Sequence, residues 1–419
     1  MINAICSKLW TDVDIRMPTN RISNCCKSWQ WEKYSPKDVK EMGINFLYNR
    51  PELIADKKFM IDHNELPKNC GECKQVYPGG YFGAHNSWKN KSNTEIYKDI
   101  NNFHKVDGTH SIEIMLSTTC NMSCMYCNKF ASSTWADVLN EPRIESNPEW
   151  KQNILNNVYE YVKMDHCKWK PLKFNFTGGE PLLDWDIFKI IKSLTDNAKK
   201  DPNKKLKHQI DITSNLNIKE KLLEKFLNLV LNDNNFIWNL SISLDEIGPS
   251  KIRDGLVWER VKKNIKTVID SNLFTHITIL PSISNLSLVN HAYFIDYVND
   301  VFFIDNKTYI DQHGGGPWWE LTIGNNMIYG PEALSITIAP SYFKKYVEEA
   351  ILACSNIDCH EKHKIFLEQC LNDIGINRNL ESIKKAKEWF KDQEKIKNIS
   401  YEKYHPYIKD ILNGEKYAI

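Results

Sequence analysis

A chain of 419 residues exceeds what one ordinary hydrophobic core organises and calls for two or three modules. Its 54 lysines and arginines against 53 aspartates and glutamates leave a net charge of +1, so bulk electrostatics make no case for nucleic acid or an anionic membrane as partner. No run of about 18 apolar residues occurs and Met1 to Lys8 lacks a signal-peptide core, so a cytosolic protein is expected, where 12 cysteines speak for metal or redox chemistry ahead of disulfides.

Cys6, the adjacent Cys25 and Cys26, and the pair Cys70-Gly71-Glu72-Cys73 come first along the chain. A C-x₂-C pair puts two sulfurs on one turn, where they can hold the same metal. Cys6 and one of Cys25 or Cys26 would complete four ligands; neighbouring cysteines do not easily ligate one metal, so Cys26 is taken as the ligand with Cys25 as its alternative. Structural zinc with the same sulfurs is the rival to iron–sulfur.

From about residue 110, short apolar runs alternate with longer amphipathic ones, the βαβα order of a parallel sheet covered by helices. Strands are expected at 112–117, 173–176, 209–213, 239–244 and 276–280, and helices at 185–199, 219–231 and 258–269, where apolar residues recur every three or four positions. In such arrays the loops after the strand carboxyl ends converge on the site. A doubly wound nucleotide-binding sheet would alternate in the same way, but the glycine-rich loop after the first strand is missing. Further on, His313-Gly314-Gly315-Gly316-Pro317-Trp318-Trp319-Glu320 is either a mobile substrate loop or a tight connection before a strand at 319–323. Residues 331–340 read as another strand, and charged amphipathic helix follows from Tyr342. Cys167, Cys354, Cys359 and Cys370 read as buried packing residues, the last three with a cluster-ligand alternative.

The loop after the first core strand reads Cys120-Asn121-Met122-Ser123-Cys124-Met125-Tyr126-Cys127. This C-x₃-C-x₂-C spacing suits three corners of an iron–sulfur cube and leaves one iron without a protein ligand, free to bind a small molecule. Zinc would ordinarily bring a second C-x₂-C pair or histidines close by. Gly178-Gly179-Glu180 follows the second core strand, where paired glycines allow positive φ and close approach of a ligand, although an ordinary turn would look the same. Ser214-Asn215 and Ser243-Leu244-Asp245 end the next two strands; they suit ligand hydrogen bonds or equally helix caps. Arg253 offers a planar fork for a carboxylate, or else a surface pair with Asp254 or Glu259.

The cysteine spacing, the aromatic residue before the third cysteine and Gly-Gly-Glu in that position resemble the radical S-adenosylmethionine (SAM) superfamily over residues 110–310. The N-terminal cysteines and Trp10 resemble the auxiliary-cluster modules of twitch and SPASM-like members, although those lie after the core. The resemblance implies a partial (β/α)6 TIM-like barrel at 106–310, a cysteine-rich module at 1–105 and a mostly helical extension at 311–419. It implies a 4Fe–4S cluster on Cys120, Cys124 and Cys127, SAM chelated by the open iron, and a second 4Fe–4S cluster on Cys6, Cys26, Cys70 and Cys73. Gly178, Gly179 and Glu180 would meet the methionyl ammonium; Ser214, Asn215, Ser243 and Asp245 the ribose and carboxylate; Arg253 the carboxylate. A flavodoxin- or ferredoxin-type donor would supply one electron, and the 5′-deoxyadenosyl radical would abstract a substrate hydrogen. The expected outcome is peptide or protein side-chain modification. Oxidation or rearrangement of a small molecule, nucleoside or sugar is the alternative, and a non-catalytic redox-sensing protein a second one.

Overall fold

The computed structural model describes residues 9, 12–24, 32–63, 65–70, 111–163, 172–198, 207–233, 235–249, 251–302, 320–328, 330–355 and 360–413. They divide into two compact units: Met1–Thr118 with Ile144–Ile212 and Asn232–Ile237, and Thr119–Arg143 with Thr213–Leu231 and Trp238–Ile419.

The first unit carries β1 (Asp12–Arg16), β2 (Arg21–Ser23), β3 (Glu32–Lys33), β4 (Ser111–Met115), β5 (Lys173–Thr177) and most of β6 (His208–Ser214). β1, β4, β5 and β6 are parallel, and their register lines up two rows of buried side chains, Val13-Ile112-Phe174-Ile210 and Ile15-Ile114-Phe176-Ile212. A one-residue slip of any strand would turn its share of both rows to the other face, so the apolar alternation sets the register. Helix Pro148–Val162 starts where Asn147 accepts from the Trp150 amide at 2.9 Å with Pro148 in the first turn, and it buries Trp150, Ile154, Val158 and Tyr161 at helical spacing. Each such side chain contributes about 1.5–3 kcal/mol on burial. Asn153 and Asn157 of this helix donate to the carbonyls of Pro36 and Val39 in helix Pro36–Met42.

The second unit carries β7 (Phe236–Ser243) from Trp238 onward, β8 (His276–Leu280), β9 (Ser282–Ile283), β10 (Glu320–Ile323) and β11 (Asn326–Met327). β7, β8 and β10 are parallel and repeat the two-row pattern with Leu240-Ile277-Leu321 and Ile242-Ile279-Ile323. Helices Glu220–Leu231 and Trp258–Asp270 bury Leu223, Phe226 and Val230, and Val261, Ile265 and Val268. Helices Lys344–Ser355, Glu361–Asp373 and Leu380–Lys397 are the long helices of the C-terminal extension among the described residues.

The βα alternation and helical extension are thus present as expected, with the strands and helices within a few residues of their predicted bounds. Two strands lie outside the expected core bounds of 106–310. Strand β1 pairs in parallel with β4 along its whole length, within the first unit. Likewise β10, beyond residue 310, pairs with β8 in the second unit. In both cases an added strand satisfies the unpaired backbone of a neighbour's edge. The strand expected at 331–340 is instead two 3₁₀ turns, Glu332–Leu334 and Ile336–Ile338. Here the carbonyls of Ala333 and Ser335 are taken by the Asn285 side chain and Ser335 Oγ accepts from the Thr337 amide, so local polar bonds replace a ladder. Among the described residues no helix is long and apolar enough to cross a membrane.

Candidate functional site

The cysteine loop belongs to the second unit, with Cys124 buried and Cys120 and Cys127 half-buried. Its backbone is tied down on nearly every residue. The Cys120 amide donates to Ser133 Oγ, the Cys120 carbonyl accepts from Thr134 Oγ1 at 2.7 Å, and the Cys124 carbonyl accepts from Trp135 Nε1 at 2.9 Å. The Ser123 and Met125 amides donate to the carbonyls of Asp254 and Ile252, so the loop runs beside the segment that carries Arg253. Gly255 closes that segment with φ +99°; a Cβ there would lie 2.8 Å from the Asn121 carbonyl, so only glycine fits both the turn and the gap.

Arg253 is buried and its fork is engaged by Asp245, with Nη2 3.0 Å from Oδ1 and Nε 3.0 Å from Oδ2. This replaces the surface pairing with Asp254 or Glu259, because burial of a guanidinium requires a partner equally out of water. Asp245 also accepts from the Tyr126 hydroxyl at 2.7 Å and the Ser282 amide at 2.8 Å. Burial is the largest single influence on the arginine's pKa and pushes it down, but Asp245, Tyr126 and Cys124 together outweigh it and the net direction is up. The guanidinium lies 5.5 Å from the Tyr126 ring centroid and Nη1 is 4.0 Å from Cys124 Sγ. Arg253 and Asp245 therefore meet at the cysteine loop, held to each other.

Ser214 and Asn215 turn the chain after β6: Ser214 Oγ accepts from the Leu216 amide and Asn215 Oδ1 from the Asn217 amide. Asn215 Nδ2 donates to Asn121 Oδ1, and Asn121 Nδ2 to the Asn217 carbonyl at 2.6 Å, while Asn217 Nδ2 donates to the Gly255 carbonyl. Asparagine side chains thus lace three segments of this unit together. Ser243 is half-buried at the end of β7. Sequence reasoning missed Asn121, Trp135, Asn217 and Lys397, and noted Tyr126 without its partner. Asn217, two residues after Asn215, carried the clearest signal, since Asx turns favour that spacing.

In the first unit, Gly178 and Gly179 have φ +77° and +51°, as paired glycines allow. At Gly178 the space is needed by a neighbour: a Cβ would sit 2.1 Å from Met115 Cγ of β4. Glu180 is buried and its Oε1 accepts from the Leu182 amide at 3.1 Å, capping the turn Pro181–Leu183. Of the N-terminal cysteines, Cys70 is half-buried at the end of a 3₁₀ turn; Cys6, Cys25, Cys26 and Cys73 lie outside the described residues, as do Cys167, Cys359 and 313–319. Cys354 and Cys370 are buried on helices of the extension.

Among the described residues no three His, Cys, Asp or Glu side chains converge as on a single ion. A cluster asks for something else, one thiolate for each of three irons. The loop supplies that donor set, and its surroundings are cationic, with Arg253 beside Cys124. Burial pushes the Cys124 thiol up to about 12 and the Cys127 thiol up to about 11, so loading iron releases protons and the neighbouring cations favour the thiolates. The residues fit the group.

Residues 114–292, which span the cysteine loop, Gly178 to Glu180, Asp245 and Arg253, match the model of the Radical SAM superfamily. Curated relatives include proteins named "Probable GTP 3',8-cyclase" from Methanococcus maripaludis, 29% identical over 166 residues, and Methanocaldococcus jannaschii, 28% identical over 166 residues. Each alignment takes 39% of this chain and 46% of the relative, so the chain spans less than half the length of these relatives. Among solved structures, anSMEcpe with bound AdoMet is 20% identical, with TM-score 0.35 over 59% of this chain and 60% of the other. Streptococcus suis SuiB bound to S-adenosylmethionine is 15% identical, with TM-score 0.36 over 81% and 69%. At these TM-scores the superpositions support no residue correspondence. The chain thus carries at residues 114–292 a domain that matches the Radical SAM superfamily, a family that uses a 4Fe–4S cluster and SAM.

Proposed function

We propose that the protein is a radical SAM enzyme that holds a 4Fe–4S cluster on Cys120, Cys124 and Cys127 and abstracts a hydrogen atom from its substrate. The observation that carries this reading is a loop of three cysteines whose backbone is bonded almost throughout and which is faced by a buried arginine. When bound and reduced by one electron, the cluster with SAM supplies the 5′-deoxyadenosyl radical. The protein's part is to fix geometry and exclude competing reactants. Asp245 holds Arg253 and Tyr126 against the loop, the Asn121-Asn215-Asn217 lacing holds the neighbouring turn, and Gly178-Gly179 presents a left-handed backbone suited to close ligand approach. Arg253, Ser214, Asn215, Ser243 and Asp245 remain the proposed SAM-facing set, with Asp245 acting through Arg253. The proposed electron donor is of the flavodoxin or ferredoxin type, and the proposed second cluster uses Cys6, Cys26 or Cys25, Cys70 and Cys73.

For substrate we prefer a peptide or protein side chain. A nucleotide is the second reading, favoured by the similarity of the core to relatives named as GTP cyclases. Isotope transfer decides between them. The reconstituted protein is incubated anaerobically with SAM, reductant and either GTP deuterated on its ribose or deuterated peptide pools, and 5′-deoxyadenosine is analysed by mass. Deuterium arriving from peptide supports the preferred class, and deuterium arriving only from GTP replaces it.

A further inference from the structure

Helix Leu380–Lys397 of the C-terminal extension ends by placing its last side chain against the cysteine loop. Only 2% of the Lys397 side chain is exposed. Its Nζ donates to the Ser123 carbonyl, lies 3.3 Å from Ser123 Oγ and 3.6 Å from Asp254 Oδ2, and sits 4.4 Å from the Trp135 ring centroid. Two oxygens of Ser123 take N–H donors of the ammonium, the Asp254 carboxylate faces it as an ion pair, and the indole face suits a cation. Asn398 then ends the helix in the left-handed conformation at φ 51°. Asp254 also binds Lys251 at 2.8 Å. One carboxylate thus serves two ammonium groups and leaves a positive charge beside the loop that it does not balance.

We propose that Lys397 is a positioning residue of the cysteine loop, anchoring the Ser123 carbonyl and setting a buried positive charge beside the Cys124 and Cys127 thiolates. Lys397 lies outside the matched domain at 114–292, so the extension is a working part of the site. The inference rests on the cluster reading above for its electrostatic half; the anchoring half stands on the protein alone. A fixed positive charge favours the more negative, reduced state of an iron–sulfur cluster and so raises its potential. Removing it should lower the reduction equilibrium constant about tenfold, about 59 mV for one electron.

The test compares the wild type, Lys397→Met, Lys397→Arg and, as an exposed control on the same helix, Lys395→Met. Without cluster, backbone amide hydrogen exchange of the 120–127 loop is timed by peptide mass spectrometry; with cluster, the midpoint potential is read by optical redox titration. Lys397→Met is expected to exchange severalfold faster in this loop and to shift the potential negative by about tenfold in equilibrium constant, while Lys397→Arg keeps most of the wild-type potential and Lys395→Met changes neither. Unchanged exchange and potential in Lys397→Met overturn the proposal, and so does an equal shift in Lys397→Arg, since that variant keeps the charge. If Lys397→Met melts early by circular dichroism, the same two readouts on Lys397→Gln decide. A wild type that takes up no cluster refutes the cluster reading, and the exchange rates still decide the anchoring.

Discussion

Replacing Asp245 by asparagine should destabilise the protein before any cofactor is added. The carboxylate is buried and accepts from the Tyr126 hydroxyl, the Ser282 amide and Arg253 Nη2, at 2.7 to 3.0 Å, and its second oxygen lies 3.0 Å from Arg253 Nε as an ion-pair contact. Asparagine keeps the shape but removes the charge and turns an N–H₂ group toward donors. The Arg253 guanidinium, with 8% of its side chain exposed, is left in the interior without its counter-ion. Breaking a buried pair in this way costs about 3–5 kcal/mol, whereas removing both charges is often nearly neutral. Urea unfolding of the cofactor-free protein, followed by tryptophan fluorescence, should show that loss for Asp245→Asn and a similar one for Arg253→Met. The double variant should recover most of it, giving a coupling energy of at least about 2 kcal/mol. A cost below about 1 kcal/mol for Asp245→Asn, with additive behaviour in the double variant, would refute the pair as the anchor and return Asp245 to direct ligand contact.

The Gly178→Ala variant should lose at least about 1–2 kcal/mol from left-handed strain and more from the clash with Met115; companion substitution of Met115 by alanine should return part of that in the same urea assay. His291 and His363 are fully buried with their Nε2 atoms 2.8 Å apart, and burial lowers His291 to about 3 and His363 well below its ordinary value. Both are depressed, so the stability they contribute is present above about pH 6.5 and is lost as pH falls toward the folded value, at about 1.4 kcal/mol per unit for each histidine that stays neutral. Melting temperatures should therefore fall between about pH 7 and pH 5, and a His291→Phe, His363→Leu variant should show a shallower slope; an equal slope in that variant refutes the assignment.

The core was legible because its signals are local. Alternation in Ile112 to Met115, Phe174 to Phe176 and His276 to Leu280, with helical spacing between, needs no partner to be read. Strand β1 was not, because Asp12–Arg16 becomes a strand through pairing with β4, nearly a hundred residues away in the chain. The Pro331 to Pro340 segment misled for the opposite reason, since its apolar residues are buried without forming a ladder. At the site, residue type and spacing picked out Cys120, Cys124, Cys127, Arg253 and Asp245 one at a time. That Arg253 binds Asp245, or that Lys397 reaches Ser123 from the far end of the chain, is set by packing and leaves no local pattern.

The central claim is that Cys120, Cys124 and Cys127 hold a catalytic cluster, and reductive cleavage of SAM tests it most directly. Wild type and each single cysteine-to-alanine variant are reconstituted anaerobically with iron and sulfide, assayed for iron, then incubated with SAM and dithionite while 5′-deoxyadenosine is quantified by chromatography. The wild type should produce it and all three variants should not, because a site already one ligand short holds a cluster weakly with two thiolates. Undiminished 5′-deoxyadenosine from any one variant, or none from an iron-loaded wild type, would contradict the account.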